Sequence, residues 1–411
     1  MLKSIRLQNF FGFQDCTINL EKGANVLVGI NGSGKSNFFK AIKLLSALVY
    51  DNELRNILYK DFGGIDNAIF SDTNKNHNKA LTLTASFDVL ESPITEAEYK
   101  ISIISNLSGG HIISLEDYTR KQINIDNKIL NQGPGYKVSV KEKSIIYENI
   151  HREHQNVKIE KLASGETHLI EQYHIVPTAS VFNRGRVENN NASSFNFQDS
   201  LIGCKVYTGF DTTKESSLRR ANSPSFDKYL LSDASNLASL LNDIKIADKE
   251  TYNRIVNAVK KVNDKFIGVE FKQLAGFIEM WLEEEGLNRA ISPIHISDGT
   301  LKFLCLMAIL YNPNRGSVVC IDEPELGLHP DMIHTLFEAI TFAAETSQII
   351  ISTHSADLLD YFELKQIRVF EKDEHNATTV KQFGEKEFEG WYEKFYPGEM
   401  WRAGNIGGNR W

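Results

Sequence analysis

The sequence predicts an α/β fold interrupted by an antiparallel β and helical insertion, and three observations carry that expectation. Near the N-terminus the apolar run Ala24-Asn25-Val26-Leu27-Val28 passes through a glycine-rich turn into a stretch with Phe38, Ala41, Ile42, Leu45 and Leu48 on one helical face. Towards the C-terminus short apolar runs alternate with helical patterns: Leu301 to Tyr311, Ser317 to Ile321, Pro330 to Ala344 and Gln348 to Ser352. Between the two, residues 80–176 alternate apolar and polar with a period of two, as half-buried antiparallel strands do. The expected division is 1–70 for an N-terminal lobe, 71–285 for the inserted β-rich and helical region, and 286–411 for a C-terminal lobe.

Taken in order, residues 2–29 read as three strands. Ile5, Leu7 and Phe10 alternate, then Cys16, Ile18 and Leu20, and Gly12 and Gly23 punctuate them. Leu54, Ile57 and Leu58 form a further amphipathic stretch, and residues 72–79 a polar loop. In the insertion Leu81, Leu83, Ala85 and Phe87 alternate, as do Tyr99, Ile101 and Ile103, and Tyr136, Val138 and Val140. Turns are expected at Ser108-Gly109-Gly110 and Gln132-Gly133-Pro134-Gly135. Residues 183–200, with Asn189-Asn190-Asn191 and several serines, read as a flexible loop. Ser232 to Ile244 and Lys249 to Phe266 read as helices, and Phe271 to Leu282 as strand. Pro330 suits a helical first turn, where its missing N–H is not needed.

Composition bounds the function. The chain has 411 residues and a net charge of -8, which argues against a wholly basic nucleic-acid binder but not against a local basic surface. From Tyr118 to Leu162 there are nine Lys/Arg against five Asp/Glu. Such a bias marks either a solvated face or a surface that contacts phosphates. Cys16, Cys204, Cys305 and Cys320 are scattered without a C-x-x-C pair, so zinc and a disulfide framework are not expected, and a reducing cytoplasm fits. The N-terminus alternates as a strand and not as a signal peptide. No uncharged run approaches the ~18 apolar residues of a membrane span.

Four motifs carry chemistry. Gly29-Ile30-Asn31-Gly32-Ser33-Gly34-Lys35-Ser36, followed by Asn37, fits the phosphate-binding loop G-x-x-x-x-G-K-[ST]. Its glycines let backbone N–H groups approach phosphate oxygens, and the helix that follows adds free N–H groups and the positive end of its dipole. Lys35 is expected on the β/γ-phosphates and the Ser36 hydroxyl on Mg2+. Val318 to Ile321 is an apolar strand that ends in Asp322 and Glu323, the Walker B arrangement. There Asp322 holds Mg2+ and Glu323 polarises the attacking water. Ile350-Ile351-Ser352-Thr353-His354 ends a second buried strand in a histidine able to hydrogen-bond a γ-phosphate. Ser297-Asp298-Gly299-Thr300 precedes an apolar helix. Taken alone it is a helix cap, although Ser297 and the Gly299 backbone can also present donors to phosphate.

The order of these motifs resembles the head of ABC-type ATPases, specifically the RecF/SMC-like and OLD-like group. Ser297 to Leu301 matches that group's S-D-G-T-L, and Asp322-Glu323-Pro324-Glu325-Leu326-Gly327-Leu328-His329-Pro330 and Ser352-Thr353-His354-Ser355-Ala356-Asp357 match its later motifs. The tail Tyr396-Pro397-Gly398-Glu399-Met400-Trp401 looks like the ending of further ATPase-like members. The resemblance implies a mixed sheet with flanking helices. It also implies binding and hydrolysis of ATP with Mg2+, and a homodimer that sandwiches two nucleotides. In it Lys35, Ser36, Asp322, Glu323 and His354 act in cis, while Ser297, Asp298 and Gly299 of the second copy complete the site.

Two positions depart from the group. A glutamine loop is not located, and Asn9-Phe10-Phe11-Gly12 lacks the basic or hydroxyl residue that many relatives carry after Asn-Phe. No Toprim nuclease domain is expected before Trp411, so nuclease activity would come from a partner effector. The expected role is a switch acting on duplex DNA or an effector, in anti-phage defence, with RecF-type DNA maintenance as the alternative. A transporter subunit fits poorly, since about 260 residues separate Ser36 from Ser297. A clamp that only binds ATP is opposed by Glu323, a carboxylate placed where a base is needed.

Overall fold

The computed structural model describes residues 1–50, 53–70, 80–89, 95–105, 110–123, 129–141, 144–148, 157–158, 169–170, 173–174, 192–383 and 396–407. The polar loop 72–79, residues 106–109 of the expected Ser108 turn, residues 183–191 and the side chains of the basic stretch from Arg120 onward lie outside the described residues. Two compact units emerge. The first comprises Met1–Leu20, Ile30–Cys204 and Phe370–Lys381, and the second Glu21–Gly29, Lys205–Val369 and Gln382–Trp411.

The first unit is built on an antiparallel sheet. In spatial order its strands are Phe13–Asn19, Leu2–Phe10, Leu81–Val89, Thr95–Ser105, His111–Ile123, Ile129–Lys141, Ser144–Glu148 and Val157–Lys158. The expected period of two is what buries it: Leu81, Leu83, Ala85 and Phe87 are fully buried, and so are Ala97, Tyr99, Ile101 and Ile103 on the neighbouring strand. The helix Lys35–Ala47 that follows the P-loop buries Phe38, Phe39, Ala41, Ile42, Leu44 and Leu45.

Two sequence expectations fail in this unit. Residues 192–200 are not a loop but the body of a helix, Ala192–Ile202. Phe197 anchors it, fully buried with its ring 4.8 Å from Tyr118 and 5.5 Å from both Phe87 and Tyr99. Gln132–Gly135 is not a turn either. It lies inside one strand, where Tyr118 faces Tyr136 but Thr119 faces Pro134, so Gly135 is the extra residue of a β-bulge.

The second unit holds the parallel strands Val318–Asp322, Gln348–Ser352 and Ala24–Gly29, paired in that order. Near-continuous apolar runs form these strands because both faces are covered: Val318 to Cys320 and Ile349 to Ile351 are all buried. The register pairs Asp322 with Ser352 and Ser352 with Leu27. Thus Asp322, the Ser352-Thr353-His354 turn and Gly29 all stand at the carboxyl ends of parallel strands, where open α/β sheets bind ligands. From Gly29 the chain runs directly into the P-loop.

Helices Leu237–Ala247, Lys249–Val262, Asp298–Leu310 and Met332–Ala344 contribute to the apolar core of this unit. The first starts at Leu237 rather than Ser232, because Asn236 folds the preceding residues into a turn. Its side chain accepts from Leu231 N at 2.9 Å and donates to Tyr229 O at 2.9 Å. The second ends at Val262, and Phe266 opens a hairpin with Phe277–Glu284 across the positive-φ pair Ala275 and Gly276. Among the described residues no helix is long and apolar enough to cross a membrane.

Candidate nucleotide site

The P-loop is shaped by its glycines. Gly32 and Gly34 have φ of 79° and 114°, in the region glycine alone enters readily, and a Cβ on Gly32 would meet open space. Ser33 N donates to Ile30 O at 3.1 Å, closing the turn, and Lys35 reaches back so that Nζ donates to Ile30 O at 3.2 Å. Ser33, Gly34 and Lys35 are buried, whereas Asn31, Gly32 and Ser36 are exposed and Asn37 is half-buried. The buried Ser33 Oγ has no protein partner. A curved run of backbone opening to solvent, with a cationic side chain and an unspent hydroxyl, suits an anion with several oxygens.

The loop has a support the sequence did not announce. Thr378, 2% exposed, donates its hydroxyl to Ser33 O at 2.8 Å and its N–H to Gly12 O at 2.6 Å. A Cβ on Gly34 would stand 2.7 Å from Thr378 Oγ1, so only glycine lets the threonine approach.

In the second unit Asp322 and Glu323 end the Val318–Asp322 strand. Ser352 Oγ donates to Asp322 Oδ1 and accepts from Glu323 N at 3.1 Å. Glu323 has φ of 46°, a left-handed conformation that costs a non-glycine residue about 1–3 kcal/mol. Its carboxylate Oε1 lies 3.3 Å from His354 Nε2, and both side chains are about one-third exposed. Glu325 fastens the neighbouring turn: its Oε1 accepts from Thr353 Oγ1 at 2.6 Å and from His354 N at 3.1 Å. A carboxylate and an imidazole in contact at the end of a parallel strand can share and relay a proton. The Asp322 carboxylate and, in the P-loop, the Ser36 hydroxyl are each hard oxygen donors of the kind Mg2+ takes.

Ser297, Asp298 and Gly299 form the N-terminus of the Asp298–Leu310 helix. Ser297 Oγ accepts from Thr300 N at 3.1 Å, as a helix cap does. Asp298 is exposed yet ion-paired with Arg219, a buried guanidinium that also donates to Pro293 O and Ile296 O, each at 2.7 Å. Gly299 packs against the Gly327 carbonyl, 3.1 Å from where a Cβ would sit.

Residues 24–360 match a protein family described as "AAA domain, putative AbiEii toxin, Type IV TA system", which covers well over half the chain. The chain belongs to this family. It is an ABC-type ATPase of the RecF/SMC/OLD-like kind. Two curated relatives agree. "Old nuclease" of Escherichia phage P2 is 29% identical over 162 residues, which cover 33% of this chain but only 27% of the nuclease. "Retron Ec83 probable ATPase" of Escherichia coli is 22% identical over 415 aligned positions, 88% of this chain and 70% of that protein. Among solved structures, an SmcHead bound to the C-winged helix domain of ScpA superposes with a TM-score of 0.53 at 12% identity, covering 94% of this chain and 99% of that one. The Smc head domain with an extended coiled coil from Pyrococcus furiosus gives 0.51 at 12% identity, covering 96% and 98%. At that identity the likeness shows the fold: an SMC-head-like α/β architecture of mixed sheet and flanking helices.

For this ATPase the P-loop, Asp322, Glu323 and His354 were legible as motifs. Ser352, Glu325, Thr378 and Lys302 were not singled out. A usable signal existed for two of them. Ser352 is the first polar residue after the apolar Ile349-Ile350-Ile351, and Lys302 is the lone charge from Leu301 to Leu310.

Proposed function

We propose that the chain binds and hydrolyses ATP, with Glu323 as the general base and His354 as its partner at the γ-phosphate. The observation that carries this reading is the Glu323–His354 contact of 3.3 Å at the carboxyl end of the parallel sheet. The backbone N–H groups from Gly29 to Ser36, with Asn37 beyond them, cradle the phosphates, and Lys35 neutralises the β/γ oxygens. Mg2+, when bound, draws charge from the phosphates, and Ser36 and Asp322 are the residues suited to hold it. Glu323 takes a proton from the attacking water, and His354 holds the γ-phosphate oxygen and reports its departure. Ser297 and Asp298, exposed at a helix N-terminus, and the half-buried Gly299 beside them complete the site of a second copy, so that ATP closes a homodimer and hydrolysis opens it.

The closing dimer then controls a partner effector or duplex DNA. The names of the two relatives, a phage Old nuclease and a retron ATPase, favour a place in anti-phage defence with the effector supplied by another protein. A second reading, direct DNA binding of the RecF type, is favoured by the excess of Lys/Arg between Tyr118 and Leu162.

The base assignment is tested with Glu323→Gln. It is expected to bind ATP with unchanged affinity and to lose turnover by about 10²–10⁴-fold, the usual contribution of general-base catalysis. Phosphate release at the wild-type rate would show that another group activates the water.

A further inference from the structure

The proposed base sits in a backbone conformation that needs external support, and part of that support comes from the helix that begins with Ser297. Glu323 is a non-glycine residue at φ 46°. Its N–H is held by Ser352 Oγ at 3.1 Å, and its carbonyl receives two donors. One is Leu326 N at 3.1 Å, which closes the Glu323–Leu326 turn. The other is the ammonium of Lys302, also at 3.1 Å. The same ammonium donates to the Leu326 carbonyl, so a single cation bridges the first and last carbonyls of the turn. Lys302 stands one turn into the Asp298–Leu310 helix, among residues that are otherwise apolar and buried. Burial pushes its pKa down, and the nearby carboxylates of Glu325 and Glu323 oppose that shift. A partly desolvated ammonium on an apolar helix is costly unless its protons are used, and here at least two are spent on backbone oxygens of the turn that carries Glu323.

We propose that Lys302 is a positioning residue for hydrolysis. By clamping the Glu323 and Leu326 carbonyls it keeps Glu323 in its left-handed conformation, with the carboxylate turned to His354, and it fastens that turn to the helix that begins at Ser297. The inference rests on Glu323 as the base, and it adds a physical consequence. Any displacement of the helix N-terminus is transmitted through one side chain to the backbone of Glu323. The two ends of the linkage are then the Ser297–Gly299 segment, which serves a second copy, and the base that serves the chain's own nucleotide.

The test is Lys302→Met, which keeps the apolar stem and deletes the ammonium, together with Lys302→Arg, which keeps the charge and the donors. K302M is expected to lower kcat on the order of 10²-fold, the cost of a misplaced catalytic group. Its KM, and its Kd for a fluorescent ATP analogue, are expected to stay near the wild-type values. K302R is expected to recover most of the kcat. In the E323Q background K302M should cause no further loss, because the group it positions is already gone.

Wild-type kcat in K302M overturns the proposal. So does a parallel rise in KM and Kd, which would make Lys302 a nucleotide-binding residue, and so does a loss that multiplies with that of E323Q. If K302M loses its cooperative thermal transition, Lys302→Gln, whose amide still donates to one carbonyl, carries the same kcat reading. Failure of the base assignment is seen separately, as full turnover in E323Q alone.

Discussion

At the scale of single residues, the P-loop depends on a contact with the strand Thr378–Gln382. Thr378 satisfies the carbonyl of Ser33, a fully buried residue, and no water can replace that bond without opening the site. Thr378→Val keeps the shape and removes the donor. An unsatisfied buried carbonyl costs about 1–3 kcal/mol. If the loop relaxes to recover part of that, its N–H groups no longer converge. T378V is therefore expected to weaken ATP-analogue binding by about tenfold, equivalent to roughly 1.4 kcal/mol, with Thr378→Ser restoring it. Titration calorimetry that found T378V equal to wild type would mean the loop holds its form unaided. The same scale explains what could be read in advance. Lys35, Ser36, Asp322, Glu323 and His354 announce themselves because each motif is contiguous. Thr378, Ser352 and Lys302 act on partners far along the chain, and one sequence carries no record of which distant carbonyl a hydroxyl or an ammonium will meet.

At the scale of elements, hydrophobic period and turn chemistry gave the first strands of the antiparallel sheet, the parallel strands that end near Gly29, Asp322 and Ser352, and the main helices, often to within a few residues. They failed where a single aromatic outweighed a polar composition. The helix Ala192–Ile202 follows three asparagines and contains three serines, yet it forms because Phe197 fills a space between Phe87, Tyr99 and Tyr118. Tertiary burial overrode local propensity there. Phe197→Ala should accordingly destabilise the first unit by about 3–5 kcal/mol, the range for a buried Phe reduced to Ala. A lower midpoint in urea unfolding would register it, and a change under about 1 kcal/mol would mean the helix is not anchored by that ring. Tail packing follows a similar logic in the second unit. The helix Pro397–Arg402 approaches Ala356–Leu359, just after His354, so closely that a Cβ on Gly398 would lie 2.1 Å from Ala356 O, while Gly398 N donates to Asp360 Oδ1 at 2.6 Å. The Pro397-Gly398 step of the tail thus has a physical reason: glycine is what lets this helix dock there.

At the scale of the whole molecule, the proposed switch requires a second copy, and the surface around Ser297 has the character such a contact needs. Ser297 and Asp298 are exposed, Ile294 is 53% exposed just before them, and Leu326 is 63% exposed on the turn that Lys302 clamps. Apolar side chains left in water beside a polar helix N-terminus match the mixed core and rim of an interface that forms on demand. Ser297→Arg places a long cation at that point, where the Ser297 cap also orders the helix start. The substitution replaces no side chain of the P-loop and none of Asp322, Glu323 and His354. It is expected to bind an ATP analogue as the wild type does, to remain monomeric by light scattering when Mg-ATP is added, and to lose turnover with the dimer. Mixing it with Lys35→Ala sharpens the result. A mixed dimer contains one site with intact Lys35 and an intact partner Ser297, and one site with neither. If the signature acts in trans, the mixture regains up to about half the activity of one wild-type dimer by this geometry. If Ser297 acts within its own chain, the mixture stays inactive, and an ATP-dependent S297R dimer would refute the composite site outright.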